Sequence, residues 1–242
     1  MTNAYHDSNP QQENPLSRPH VFRDLLIVGS PILLLATVGY IAGIETLLGG
    51  AIVNLGYVLS IIIGGIILGL QGSGWRKIGL ARPESRWKTV GSGIGAWITA
   101  VLIFVLAQVV IIAILTVLGQ SLPAIDESRF NPLEGNLPLF LLMVILAWTT
   151  IAFGEELFYR AFLISRLVDH AALDKKTAIA ISALVFGAAH FAEGPLGILS
   201  NGAFGALFGW IYLKSGRNLW ITVIGHGLLN TFRFTLLYAG AA

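Results

Sequence analysis

The chain has 242 residues, 55% apolar and 12% charged, where an ordinary soluble domain carries about 25% charged residues. That balance excludes an ordinary soluble fold. The absence of cysteine excludes disulfides, thiolate metal sites and a cysteine nucleophile. A net charge of +2 is too small to point to nucleic acid as a partner.

In chain order, residues 1–22 come first and are polar, with Asn9, Pro10, Gln11, Gln12, Asn14 and Pro15 among them. They read as a disordered cytoplasmic tail. No basic region close to the N-terminus marks a signal peptide, so the first apolar run is expected to stay in the mature chain.

A spanning helix needs about 20 apolar residues. Runs of this kind lie at roughly 24–47, 51–70, 90–118, 137–164, 177–192, 195–213 and 218–239. They predict an all-α polytopic membrane bundle of about seven (six to eight) transmembrane helices. Residues 23–242 are expected to form a single transmembrane domain, with a core at about 137–239.

The loops alternate in charge. Arg18 and Arg23 precede the first run. Arg76, Lys77, Arg82, Arg86 and Lys88 lie between the second and third, Arg166, Lys175 and Lys176 follow the fourth, and Lys214 and Arg217 follow the sixth. The other side has Arg129 among Asp126, Glu127 and Glu134, together with Glu193. Positive-inside logic puts the N-terminus in the cytoplasm and the C-terminus outside, in a multi-pass protein of the cell (plasma or inner) membrane. Gly65 and Gly69 are four apart, as are Gly205 and Gly209, a spacing expected at close helix contacts.

The last hundred residues carry the chemistry. Glu155, Glu156 and Arg160 interrupt an otherwise apolar run. A charge at mid-bilayer costs at least about 2.5–3.5 kcal/mol, so such groups must pair or be used. Residues four apart share a helix face and neighbours diverge by about 100°. Glu156 and Arg160 are therefore expected to form an ion pair. Glu155 points elsewhere, with Ile151, Ala152 and Tyr159, and is the candidate for chemistry. On the next run Phe186 and His190 share a face, and on the last run His226 and Asn230 do so. Counted from the cytoplasmic ends, Glu155 and His226 lie roughly 13 Å deep and His190 roughly 20 Å, an offset that helix tilt must absorb. Arg233 has no evident partner in the sequence.

Taken singly, each residue has a plain structural account. A membrane histidine or asparagine can serve only to hydrogen-bond neighbouring helices. Together, a glutamate, two histidines and an asparagine on separate helices supply a base, a second proton-handling group and neutral donors. Those parts can activate water and hold an oxyanion.

Glu155-Glu156-x-x-x-Arg160, Phe186-x-x-x-His190 and His226-x-x-x-Asn230 resemble the EExxxR, FxxxH and HxxxN motifs of the CPBP family of intramembrane glutamic endopeptidases. That family includes type II CAAX prenyl proteases and bacterial Abi or bacteriocin-immunity-like proteins. The three motifs occur in the family's order and cover roughly residues 150–232. The resemblance implies a membrane hydrolase in which Glu155 and His190 activate a water. It implies that His226 and Asn230 stabilise the oxyanion and that Glu156, Arg160 and Phe186 support the site. No cofactor, metal or covalent intermediate is implied. Its partners would be membrane lipid and a peptide or membrane-protein substrate, which in related proteins is cleaved after a prenylated cysteine.

Three other readings stand beside it. Glu155, His190 and His226 have the ligand types of a catalytic zinc site, although the sequence lacks HExxH. A proton-linked transporter would use membrane Glu and His side chains, but no internal repeat supports one. A non-catalytic immunity or scaffold protein would keep the fold without turnover.

Overall fold

The computed structural model describes residues 18–43, 46–120 and 128–241, and among these there is no β-strand. The expected tail therefore lies, up to position 17, outside the described residues, as do Asp126 and Glu127. Seven long helices follow one another: α1 Arg18–Ile41, α2 Leu47–Leu70, α3 Arg86–Val117, α4 Leu137–His170, α5 Lys175–Ala189, α6 Gly194–Lys214 and α7 Leu219–Tyr238.

Five stretches are long and apolar enough to cross a membrane: His20–Ile41, Leu48–Leu70, Arg86–Val117, Leu137–His170 and Phe191–Lys214. The protein is a multi-pass membrane bundle. Helix α5 has 15 residues, too few to span unaided. Helix α7 has 20 and carries His226, Asn230 and Arg233, and it is not among the five.

The starts of the helices follow the sequence. Thr46 caps α2 by accepting from the Gly49 amide, Ser85 caps α3 through Lys88, and Asn136 caps α4 through Leu139. Asp174 caps α5, accepting from the Lys176 and Thr177 amides. These bonds, led by the one from the Thr177 hydroxyl, hold the Asp174 carboxyl below its ordinary value of 3.8. The cap is complete above that value and is lost as pH falls through the lowered one.

Burial is distributed as lipid requires. Leu102, Leu106 and Val109 of α3 face outward. The buried polar side chains include Asp24, Glu155, Glu156, Arg160, Arg166 and His226. Lipid solvates the apolar exterior, while charge is tolerated only where other protein groups surround it.

Helix α1 packs along α2, α3 along α7 and α5 along α6, with α4 touching α2, α5, α6 and α7. The α5–α6 contact is close because Gly187 has no side chain. A Cβ there would stand 2.6 Å from the Ile198 carbonyl oxygen and 3.1 Å from Gly202 Cα. The expected glycine pairs divide. Gly205 lies against Ala183 and Phe186, and Gly209 against Ile164 and Ile179. Gly65 meets the Trp75 side chain instead of a helix backbone. Gly69, one residue from the end of α2, has nothing within 4 Å of a would-be Cβ.

One end of the bundle gathers the polar connections. Arg217, between α6 and α7, bonds both oxygens of Asp169 at 2.5 and 2.6 Å. That contact holds the guanidinium above its ordinary value. The Tyr212 hydroxyl donates to the Ile78 carbonyl at 2.8 Å, tying the turn after α2 to α6. Gln71 donates to Asp24 at 2.7 Å and accepts from Arg166, joining α1, α2 and α4.

Candidate active site

Helix α4 is wound wide through its second half. Residues Ala147–Ile151, Glu156–Ile164 and Arg166–His170 follow the π pattern of i→i+5 hydrogen bonds. Such widening in a helix is frequent at functional sites. Here it resumes at Glu156, directly after the α-helical turn Ala152–Glu155 that carries the other carboxylate.

The two glutamates diverge as their position on a helix requires. Glu156 and Arg160 are both 0% exposed, and their Oε1 and Nη1 atoms lie 3.2 Å apart. The expected ion pair is present. None of the Arg160 nitrogens has full hydrogen-bond geometry to a partner among the described residues. Its guanidinium packs instead on aromatic faces, 4.5 Å from the Phe186 ring centroid, with Phe204 and Phe208 farther out. The cation is thus held by one carboxylate and a cage of rings.

Glu156 does more than neutralise Arg160. Its Oε1 also receives His226 Nδ1 at 2.9 Å. A carboxylate oxygen accepts, so Nδ1 carries the proton and Nε2 is the nitrogen turned to the remaining chemistry. That Nε2 lies 3.8 Å from Glu155 Oε2. The ring is fixed from the side by Phe204, edge-on at 4.8 Å.

Glu155 is buried, and its Oε2 has no hydrogen-bond partner among the described residues. The Tyr57 hydroxyl of α2 faces Glu155 and lies 3.4 Å from the Tyr159 hydroxyl. Gly154 admits Tyr57 to this position, since its would-be Cβ is 3.3 Å from Tyr57 Cβ.

His190 ends α5, with Nδ1 2.8 Å from the Phe186 carbonyl oxygen. A carbonyl only accepts, so this bond puts the proton on Nδ1 and leaves Nε2 as an acceptor. Among the described residues His190 makes no hydrogen bond to Glu155. The Phe186 ring stands between the two histidines, 4.7 Å from His190 and 6.3 Å from His226. Asn230 follows His226 by one turn, and its Nδ2 is buried with no partner among the described residues. Arg233 lies with its guanidinium 5.0 Å from the Phe130 ring centroid, a partner the sequence did not reveal.

The structure therefore brings Glu155, Glu156, Arg160, Phe186 and His226 into one contacting cluster. His190 joins through Phe186, and Asn230 flanks it. Tyr57, Phe204, Phe208 and Trp148 also belong to the surroundings and carried no motif signal. Trp148 donates to the Thr231 hydroxyl at 3.0 Å and lies flat on Gly227, where a Cβ would come within 2.7 Å of the indole. The residue after His226 must be small for α7 to seat on α4. Among the described residues, no group of three or more His, Asp or Glu side chains is arranged to hold a metal ion.

Residues 137–232 match the family model described as type II CAAX prenyl endopeptidase Rce1-like. Over those residues the chain is similar to Rce1-like endopeptidases. The resemblance drawn from the three motifs is thereby borne out, and the matched family is one of endopeptidases. The matched stretch runs from the start of α4 into α7 and contains Glu155, His190, His226 and Asn230. Tyr57 reaches it from α2, outside the matched residues. No curated protein and no solved structure matches the chain.

Proposed function

We propose that this protein is a metal-independent intramembrane endopeptidase of the CAAX-protease type. The observation that carries the reading is the cluster itself. A buried carboxylate oxygen on Glu155, unpartnered among the described residues, faces a histidine whose other nitrogen is anchored by a second carboxylate. In this reading about residues 137–239 form the catalytic core and the N-terminus is cytoplasmic.

In the proposed reaction Glu155 accepts a proton from a water while the water oxygen attacks the scissile carbonyl carbon. His190 presents Nε2 as a second acceptor, because Nδ1 is committed to the Phe186 carbonyl. The carbonyl oxygen becomes an oxyanion and needs donors. Asn230 Nδ2 offers one without breaking an existing bond. His226 donates from Nε2 only as the imidazolium, since Nδ1–H is already given to Glu156. Glu156, itself 3.2 Å from Arg160, is the acceptor that holds the Nδ1 proton in that form. Collapse of the tetrahedral intermediate breaks the C–N bond, and the proton held at Glu155 passes to the leaving amine. No covalent intermediate is formed.

The substrate is proposed to be a prenylated peptide or membrane protein ending in a CAAX sequence. The test is cleavage of a farnesylated CAAX peptide by the purified full chain, with the Glu155→Gln variant alongside. Cleavage by wild type and its loss in the variant are expected. Equal cleavage by both would remove Glu155 from the mechanism.

A further inference from the structure

A cavity of about 730 Å³ lies at the polar end of the bundle, lined by Arg76, Arg82, Arg86, Leu80, Pro83 and Trp220 among others. None of the candidate active-site residues lines it. Among the described residues none of its three guanidinium groups forms an ion pair with a carboxylate, Glu84 of the same loop included. Three like charges around one hollow repel one another, and an anion held between them would relieve that repulsion. Arginine is suited to this, because its planar fork grips phosphate oxygens in pairs.

The walls are fixed in advance. Tyr212 holds Ile78, the Trp220 indole donates to the Ala81 carbonyl at 3.2 Å, and Asn218 donates to Thr89 at 2.9 Å. The surroundings are those of a membrane surface. Trp87, beside Arg86, is 86% exposed at the start of a helix whose following turns are apolar and lipid-facing. Exposed tryptophan next to arginine marks the headgroup level. Basic pockets at that level bind anionic headgroups.

We infer that the Arg76–Arg82–Arg86 cavity is a binding site for a phosphate group, carried by the headgroup of an anionic phospholipid. The ring of Trp220, which forms one wall, lies 6.0 Å from the Phe153 ring, two residues before Glu155. The site thus stands one aromatic contact from the helix that bears the candidate base.

The test uses the full chain released from nanodiscs of mixed phosphatidylcholine and phosphatidylglycerol, with retained lipids counted by native mass spectrometry. Wild type should retain phosphatidylglycerol in preference to phosphatidylcholine. Arg82→Gln with Arg86→Gln should weaken that retention about thirtyfold. Arg82→Lys with Arg86→Lys should restore much of it. Lys175→Gln with Lys176→Gln removes the same charge from exposed positions at this end but outside the cavity, and should leave retention unchanged. A second arm measures thermal unfolding in detergent with inorganic phosphate. Stabilisation by phosphate that depends on Arg82 and Arg86 would keep the site and assign it to a soluble phosphate. Absence of both a lipid preference and a phosphate stabilisation, or equal loss in the lysine control, would overturn the inference. Should the double glutamine variant not fold, the two single variants carry the comparison.

Discussion

Glu155 and Glu156 are chemically identical and adjacent, yet their surroundings assign them different work. Glu156 is paired with Arg160 and bonded to His226, while Glu155 Oε2 has no partner among the described residues. Glu155→Gln should therefore leave folding intact and lower turnover by about 10²–10⁴-fold, the usual worth of a general base. Helix content and size-exclusion profile check the first half of that statement, and peptide cleavage the second. Arg160→Ala should act on stability instead. It leaves Glu156 buried without its cation, at about 3–5 kcal/mol for breaking a buried pair. A wild-type unfolding midpoint in that variant would refute the ion-pair account. The i,i+4 pair was legible in the sequence because one helix fixes its geometry. The bond from His226 to Glu156 was not, since it joins residues 70 apart. Only the packing of α7 on α4 decides which carboxylate the ring meets.

The helices were legible from apolar runs, while the caps Thr46, Ser85, Asn136 and Asp174 came from the structure. The wide winding of α4 was not. Its i→i+5 bonds have no local sequence signal and depend on the helices packed around it. Glycine spacing was only partly informative. Gly205 and Gly209 sit at contacts, Gly69 does not, and the tightest α5–α6 approach falls on Gly187, which no pair marked. Gly187→Ala should cost about 1–3 kcal/mol by overpacking. It should also disturb His190, three residues on, so cleavage should fall along with the unfolding midpoint. An unchanged midpoint would show that α6 can shift to make room.

Across the whole molecule, charge is sorted by its solvent. The polar end collects Asp24, Arg166, Asp169 and Arg217 with the arginine-lined cavity, and the middle holds the buried cluster. These two groups of charges differ in worth. Asp169 and Arg217 have side chains 33% and 27% exposed, so Arg217→Ala should cost about 1 kcal/mol or less. That is a fraction of the Arg160→Ala effect, and denaturation of the two variants side by side checks the ratio. The gathering of basic loops at one end was readable from their alternation along the chain. What α1–α3 do was not, beyond spanning. In the structure α2 delivers Tyr57 to Glu155, and the loop before α3 builds the basic cavity.

The most direct measurement is cleavage of a farnesylated CAAX peptide by the purified chain, wild type beside Glu155→Gln, each with and without a chelator. The account predicts cleavage by wild type that chelator does not change and that the variant loses. Cleavage abolished by chelator and restored by zinc would contradict the metal-independent mechanism, and cleavage retained in Glu155→Gln would contradict the assignment of the base.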